Sequence, residues 1–156
     1  MRRPKPLIAL SSAATAALAV AAFAGTAGAT SSSTIVTTAK TSLGTILVTS
    51  TGRTLYLDTG DKPPKFACTG GCLKAWPPLK AVGTLKARGS AKAALLGTAK
   101  GPAGKVVTYA GHPLYTFVSD KKAGQTTGEG VNNFYAVSPS GAKVTKFKAP
   151  GGGQGY

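Results

Sequence analysis

Acids are scarce in this sequence. Asp58, Asp61, Asp120 and Glu129 are the only carboxylate side chains in 156 residues, against 19 Lys and Arg. Calcium takes six or more oxygens and usually several carboxylates, and glycoside hydrolysis needs a positioned pair, so both are poorly supplied. Histidine is scarcer still. His112 is the only one; it falls in a hairpin turn where solvent exposure is expected, and no acid neighbours it in sequence. A hydrolytic triad is therefore unsupported, and a closed zinc site, which needs four ligands, has too few candidates. Cysteine is limited to Cys68 and Cys72, whose spacing is not Cys-x-x-Cys and which lack a thioredoxin-like βαβ setting. No phosphate-cradling glycine loop opens a helix, and no basic-aromatic motif points to nucleic acid. The expectation from these absences is a chain that is not an enzyme, with no cofactor and no metal site.

What is abundant is positive charge. The formal net charge is +15. Arg2, Arg3 and Lys5 form a short basic start, Leu7 to Ala24 is apolar and Ala-rich, and Ala27-Gly28-Ala29 offers small residues at a cleavage site. This is the pattern of a secretory signal peptide over 1–29, with an N-terminal signal helix and the general export route. The competing reading is an uncleaved membrane anchor, since the apolar run approaches spanning length. No Cys lies near the cleavage site, so no lipid-anchor Cys is expected there. A chain starting after Ala29 keeps 16 basic residues against four acids, a formal charge of +12. Such a charge favours polyanions by general electrostatics. The expected partners are anionic cell-wall polymers or a membrane surface, although scattered basic residues also suit a merely solvated face.

The chain repeats itself. Tyr56 and Tyr115 are 59 residues apart, and the same offset aligns Val48 with Val107, Thr49 with Thr108, Gly52 with Gly111, Leu55 with Leu114, Asp61 with Asp120 and Gly71 with Gly130. It also sets Trp76 against Tyr135. Each copy reads as a β-hairpin whose turn glycine, Gly52 or Gly111, takes a positive φ that a Cβ would penalise, followed by a Gly- and Pro-rich loop that returns to an aromatic. Between them, Leu85 to Leu96 suits a turn or two of helix. The expected architecture is an all-β small sandwich or barrel made from two hairpin-based repeats. Its parts are a flexible segment over 30–42, a single β domain over 43–148 and a flexible Gly-rich tail over 149–156. Within the domain, repeat one covers 43–80, a connector 81–102 and repeat two 103–148.

Gly111-His112-Pro113-Leu114-Tyr115-Thr116-Phe117-Val118-Ser119-Asp120, then Gly128-Glu129-Gly130-Val131 and Phe134-Tyr135, resemble a bacterial family of secreted repeats of unknown function. Its members are described as predicted lipoproteins with a Tyr-x-aromatic-x-x-Asp motif. Copy one joins the resemblance through Leu55-Tyr56, Asp61, Cys68-Thr69-Gly70-Gly71-Cys72 and Trp76-Pro77-Pro78-Leu79. The resemblance runs from about Leu47 to Gly141 and implies an exported bacterial protein with no established activity. This chain departs from it in three places. Asp58 stands where copy one's motif has an aromatic, residues 100–104 replace a more polar stretch, and the lipid-attachment Cys of many relatives is missing.

Each candidate residue carries a bland and a sharper reading. An even cysteine count in an exported protein implies a Cys68–Cys72 disulfide, a staple of roughly 2 kcal/mol on the loop-entropy model. The alternative is a redox or cofactor-handling module using that pair. Asp61 and Asp120 are expected to bond loop backbone N–H groups; the competing reading is a hard-cation site. Tyr56, Trp76, Tyr115, Phe117, Phe134 and Tyr135 are expected to pack between the copies with the Tyr hydroxyls on backbone; the alternative is a stacking surface for sugars or other rings. The overall expectation is a secreted, non-catalytic cell-envelope or extracellular module with a binding or structural role.

Overall fold

The computed structural model describes residues 31–145. The signal segment 1–29 and the tail 149–156 lie outside the described residues. Within them the chain is all-β. Its strands are β1 (Ser33–Thr41), β2 (Gly44–Thr49), β3 (Tyr56–Asp58), β4 (Thr84–Ala87), β5 (Leu96–Gly101), β6 (Gly104–Tyr109), β7 (His112–Pro113) and β8 (Phe134–Ala136). They make three small sheets, ordered β2-β1-β4, β3-β8 and β5-β6-β7. The one α-helix among the described residues, α1 (Cys72–Ala75), is a single turn. No helix there is long and apolar enough to cross a membrane.

Two hairpins carry the repeat. β1 and β2 pair antiparallel through a two-residue turn, with Thr41 opposite Gly44. β5 and β6 do the same, with Gly101 opposite Gly104. After each hairpin the chain reverses at Gly52 (φ +83°) or Gly111 (φ +82°), the left-handed conformation expected of these glycines. Leu55-Tyr56-Leu57 and Leu114-Tyr115 then run side by side at the centre. Alternation of side chains along a strand sends Leu55, Leu57 and Leu114 to one core and Tyr56 and Tyr115 to another.

At that centre the repeats meet about an approximate two-fold axis. The Tyr56 N–H donates to the Tyr115 carbonyl and the Tyr115 N–H to the Tyr56 carbonyl, both at 2.9 Å. Each repeat's return segment crosses over to the other. Val137 of repeat two accepts from the Leu47 N–H and donates to the Leu55 carbonyl, while Leu79 of repeat one accepts from Val107 and donates to Leu114. Each copy thus completes the hairpin of its neighbour.

The gapless register needs correction. Val36 faces Thr49 in one hairpin and Leu96 faces Tyr109 in the other, so the hairpins correspond at an offset of 60. Leu47, not Val48, is the counterpart of Val107. Copy one carries one extra residue in the turn between Thr49 and Thr54. The return segments correspond at 58, because Ala136 pairs with Tyr56 where Pro78 pairs with Tyr115. The counterpart of Trp76 is therefore Phe134 rather than Tyr135.

The segment 30–42, read as flexible, also needs correction. Most of it is β1, hydrogen-bonded to β2 on one edge and to β4, in parallel, on the other. Val36 is buried in the first core at 1 % exposure. Its Ser and Thr residues read as loose chain, but Thr is β-branched and suits a half-buried pleated surface. The connector holds two strands, β4 and β5, and a single 3-10 turn at Ala93–Leu95 where a turn or two of helix was expected. β5 (LGTAKG) has no apolar alternation to announce it.

Replacing Val36 by Asp tests the place of β1 in the core. A flexible segment tolerates the change; a buried strand position loses roughly 3 kcal/mol or more. An unchanged urea midpoint at neutral pH would contradict the assignment.

Candidate functional site

The motif residues converge on the two-fold axis and bond across it. The Tyr56 hydroxyl donates to Asp120 Oδ2 and the Tyr115 hydroxyl donates to Asp61 Oδ2, each at 2.7 Å. The hydroxyls therefore bond the other repeat's carboxylate, where backbone acceptors were expected. The second oxygens close the loops that follow. Asp61 Oδ1 accepts the Ala67 N–H at 2.7 Å, and Asp120 Oδ1 accepts the N–H and hydroxyl of Thr127. Both aspartates are buried, at 5 % and 1 % exposure, with every oxygen bonded to a protein donor. Among the described residues no three His, Cys, Asp or Glu side chains gather as metal ligands would.

Burial, the hydrogen bond to Asp120 and the charge of that carboxylate push the Tyr56 phenol far above its usual range. Tyr115 is raised in the same way by burial and by Asp61. Asp58, buried where the motif has an aromatic, is pushed above the usual carboxylate range by desolvation. Its bond from the Gly60 N–H opposes that shift and the charge of Asp61 adds to it.

The aromatics form one stack. Trp76 lies parallel to its counterpart Phe134, with centroids 3.8 Å apart and planes at 5°, and Phe117 stacks on it at 4.3 Å. Tyr56 meets Trp76 edge-on and Tyr115 meets Phe134 edge-on, at 5.3 and 5.2 Å. Such edge-to-face and stacked pairs are favourable beyond the area they bury. Tyr56, Trp76, Tyr115 and Phe134 are buried; Phe117 and Tyr135 are half-buried. Tyr135 stands apart from the stack, beneath the Lys143 ammonium at 4.6 Å.

Gly128, part of the Gly128-Glu129-Gly130-Val131 run that the family resemblance includes, belongs to this cluster, a packing role that the sequence does not reveal. A Cβ there would lie 2.6 Å from Trp76 Cη2 and 3.0 Å from Tyr56 Cζ, so only glycine lets the loop close over the rings. Cys68 and Cys72 stand at bonding distance, with sulfurs 1.98 Å apart and Cα atoms 5.3 Å apart. Cys68 is buried beside Trp76 and Cys72 half-buried, so the bridge fastens the Thr69-Gly70-Gly71 loop to the stack.

Charge is sorted by depth. Asp58, Asp61 and Asp120 are buried, and half-buried Glu129 turns Oε2 onto the Ala136 N–H at 2.7 Å. Thirteen of the fourteen Lys and Arg side chains among the described residues are exposed. The exception, half-buried Arg53, donates Nη2 to the Phe117 carbonyl. His112, the counterpart of Arg53, is half-buried instead of exposed. Its Nδ1 is buried without a partner, and it borders a cavity of about 270 Å³ with Leu57, Thr59 and Lys143.

A family model described as a secreted repeat of unknown function matches residues 37–80 and 97–137. Together these are more than half of the chain, which belongs to that family of secreted repeats, with two copies, and is an extracellular protein. No curated protein and no solved structure matches it.

Two measurements follow from the cluster. In an alkaline titration followed at 295 nm, Tyr56 and Tyr115 should stay protonated while the fold holds. A raised phenol means that the native state keeps a proton the unfolded chain gives up above about pH 10. Stability should therefore fall as pH rises past that point, and both phenols should ionise on unfolding. Ionisation of all five tyrosines with native circular dichroism contradicts the geometry. Gly128→Ala should lower stability by roughly 1–3 kcal/mol through overpacking against Trp76, read from a denaturant midpoint.

Proposed function

We propose that this extracellular protein is a non-catalytic module that holds anionic polymers of the cell envelope through its basic surface. The observation that carries the reading is the sorting of charge. The carboxylates are drawn inward to bond tyrosines and loop backbone, so the exposed charge is left overwhelmingly to lysine. A surface of one sign attracts polyanions over a range set by the Debye length. The basic start, apolar run and small-residue cleavage site support export through a signal peptide over 1–29. The lack of a Cys beside that site supports release without a lipid anchor. The buried Asp pairs and the aromatic stack serve as the framework on which the basic face is mounted.

The test is retention on purified cell wall as salt is varied. The protein should bind at about 0.01 M ionic strength, where the Debye length is about 30 Å, and elute by about 1 M, where it is about 3 Å. A protein that fails to bind at the lower ionic strength refutes the proposal. Binding indifferent to salt would point to a contact of another kind.

A further inference from the structure

The lysines are not evenly placed. Lys100 and Lys105 are direct partners across the β5–β6 hairpin, one residue from its turn. Cross-strand partners stand on the same face, and like charges there repel. The fold does not require this. In the β1–β2 hairpin the corresponding pair is Lys40 opposite Thr45, so the same framework position accepts a neutral residue.

More lysines collect at the same end. Lys80 bridges to Val106, and the Ala81 N–H donates to the Lys105 carbonyl. Lys80 therefore projects from the opposite face of the hairpin to Lys105. Lys62 and Lys65 exchange backbone hydrogen bonds at 2.9 and 2.8 Å across Pro63-Pro64. The next residue, Phe66, lies against Gly101, where an added Cβ would come within 3.3 Å of its ring. All five lysines are exposed. The carboxylate adjoining Lys62, Asp61, is buried with both oxygens taken by Ala67 and Tyr115.

Resting on the reading above, we propose that this hairpin end, with Lys62, Lys65, Lys80, Lys100 and Lys105, is the site where a flexible linear polymer of repeating phosphate groups is held. Two features of the cluster select that partner. The lysines lie on both faces of the hairpin, which suits a chain that can wrap its tip better than a flat bilayer. The described surface exposes only two large apolar side chains, Val82 and Val118, too few for an interfacial anchor. The cluster is also all lysine. A compact ammonium neutralises successive monoanions without the planar, two-pronged geometry that arginine brings to a single fixed group.

The experiment measures binding of the exported protein to soluble polyphosphate at low ionic strength, and to vesicles containing an anionic phospholipid. A variant carrying Thr at Lys62, Lys65, Lys80, Lys100 and Lys105 should bind polyphosphate at least about tenfold more weakly, with a shallower salt dependence. A control with Thr at Lys40, Lys86, Lys92, Lys121 and Lys122 has the same net charge and should lose less than about threefold. Equal losses in the two variants overturn the proposed site while leaving the broader reading intact. If the unmodified protein binds neither probe, the broader reading fails. If it binds vesicles but not polyphosphate, the choice of partner is wrong. Lys105→Thr alone should raise the thermal midpoint by relieving the Lys100 repulsion, and a lowered midpoint would overturn the claim that the pair is held against the fold's preference.

Discussion

The reciprocal exchange between Tyr56 and Asp120 and between Tyr115 and Asp61 organises this protein. Each bond joins one repeat to the other at 2.7 Å. The central backbone pair of Tyr56 and Tyr115 lies between them. A phenol hydroxyl donated to a carboxylate is among the stronger neutral-to-charged hydrogen bonds, and the ring that carries it fills the core. Removing either partner would leave a buried group unsatisfied. The same aspartates tie down the loops that follow, so one interaction sets the meeting of the repeats and the closure of both loops. The crossed return segments follow the same logic, since Leu79 and Val137 each complete the other copy's hairpin.

Charge sorting is a consequence of this framework. A chain with four acids that uses three of them in its interior has little negative charge left for its surface. The basic character that sets the proposed function and the buried network that sets the fold are thus two sides of one allocation. Asp58 fits this pattern imperfectly. It replaces the aromatic that its counterpart Phe117 supplies to the stack, and its carboxyl sits in an environment that disfavours the charged form.

Much of the fold was readable in advance because the signals are local. Turn glycines, alternating apolar residues and the shared Tyr and Asp positions all act within a few residues of chain. The hairpin at Gly111, the loop-closing role of the aspartates and the packing of the rings in a core were recovered from them. The failures have different causes. β1 is mostly β-branched and was hidden by its Ser and Thr residues, which also suit loose chain, whereas β5 is rich in Gly and becomes a strand because a neighbouring strand offers hydrogen bonds along its length. Local propensity does not record such a neighbour. The single-residue shifts in the repeat register sit in turns, where an inserted residue changes pairing without disturbing composition. Trp76 was accordingly matched to Tyr135, one position from its real counterpart.

By itself the sequence determined that the chain is two copies of a β-hairpin unit, that its only cysteines stand four residues apart, and that it belongs to a family of secreted repeats. Those properties depend on residue type and spacing along the chain. The tertiary structure alone decided which aspartate each tyrosine bonds, that Trp76 lies flat on Phe134, and that Lys100 faces Lys105 beside Lys62, Lys65 and Lys80. These depend on strand register and on the approach of segments far apart in sequence, and a shift of one residue in pairing sends a side chain to the opposite face.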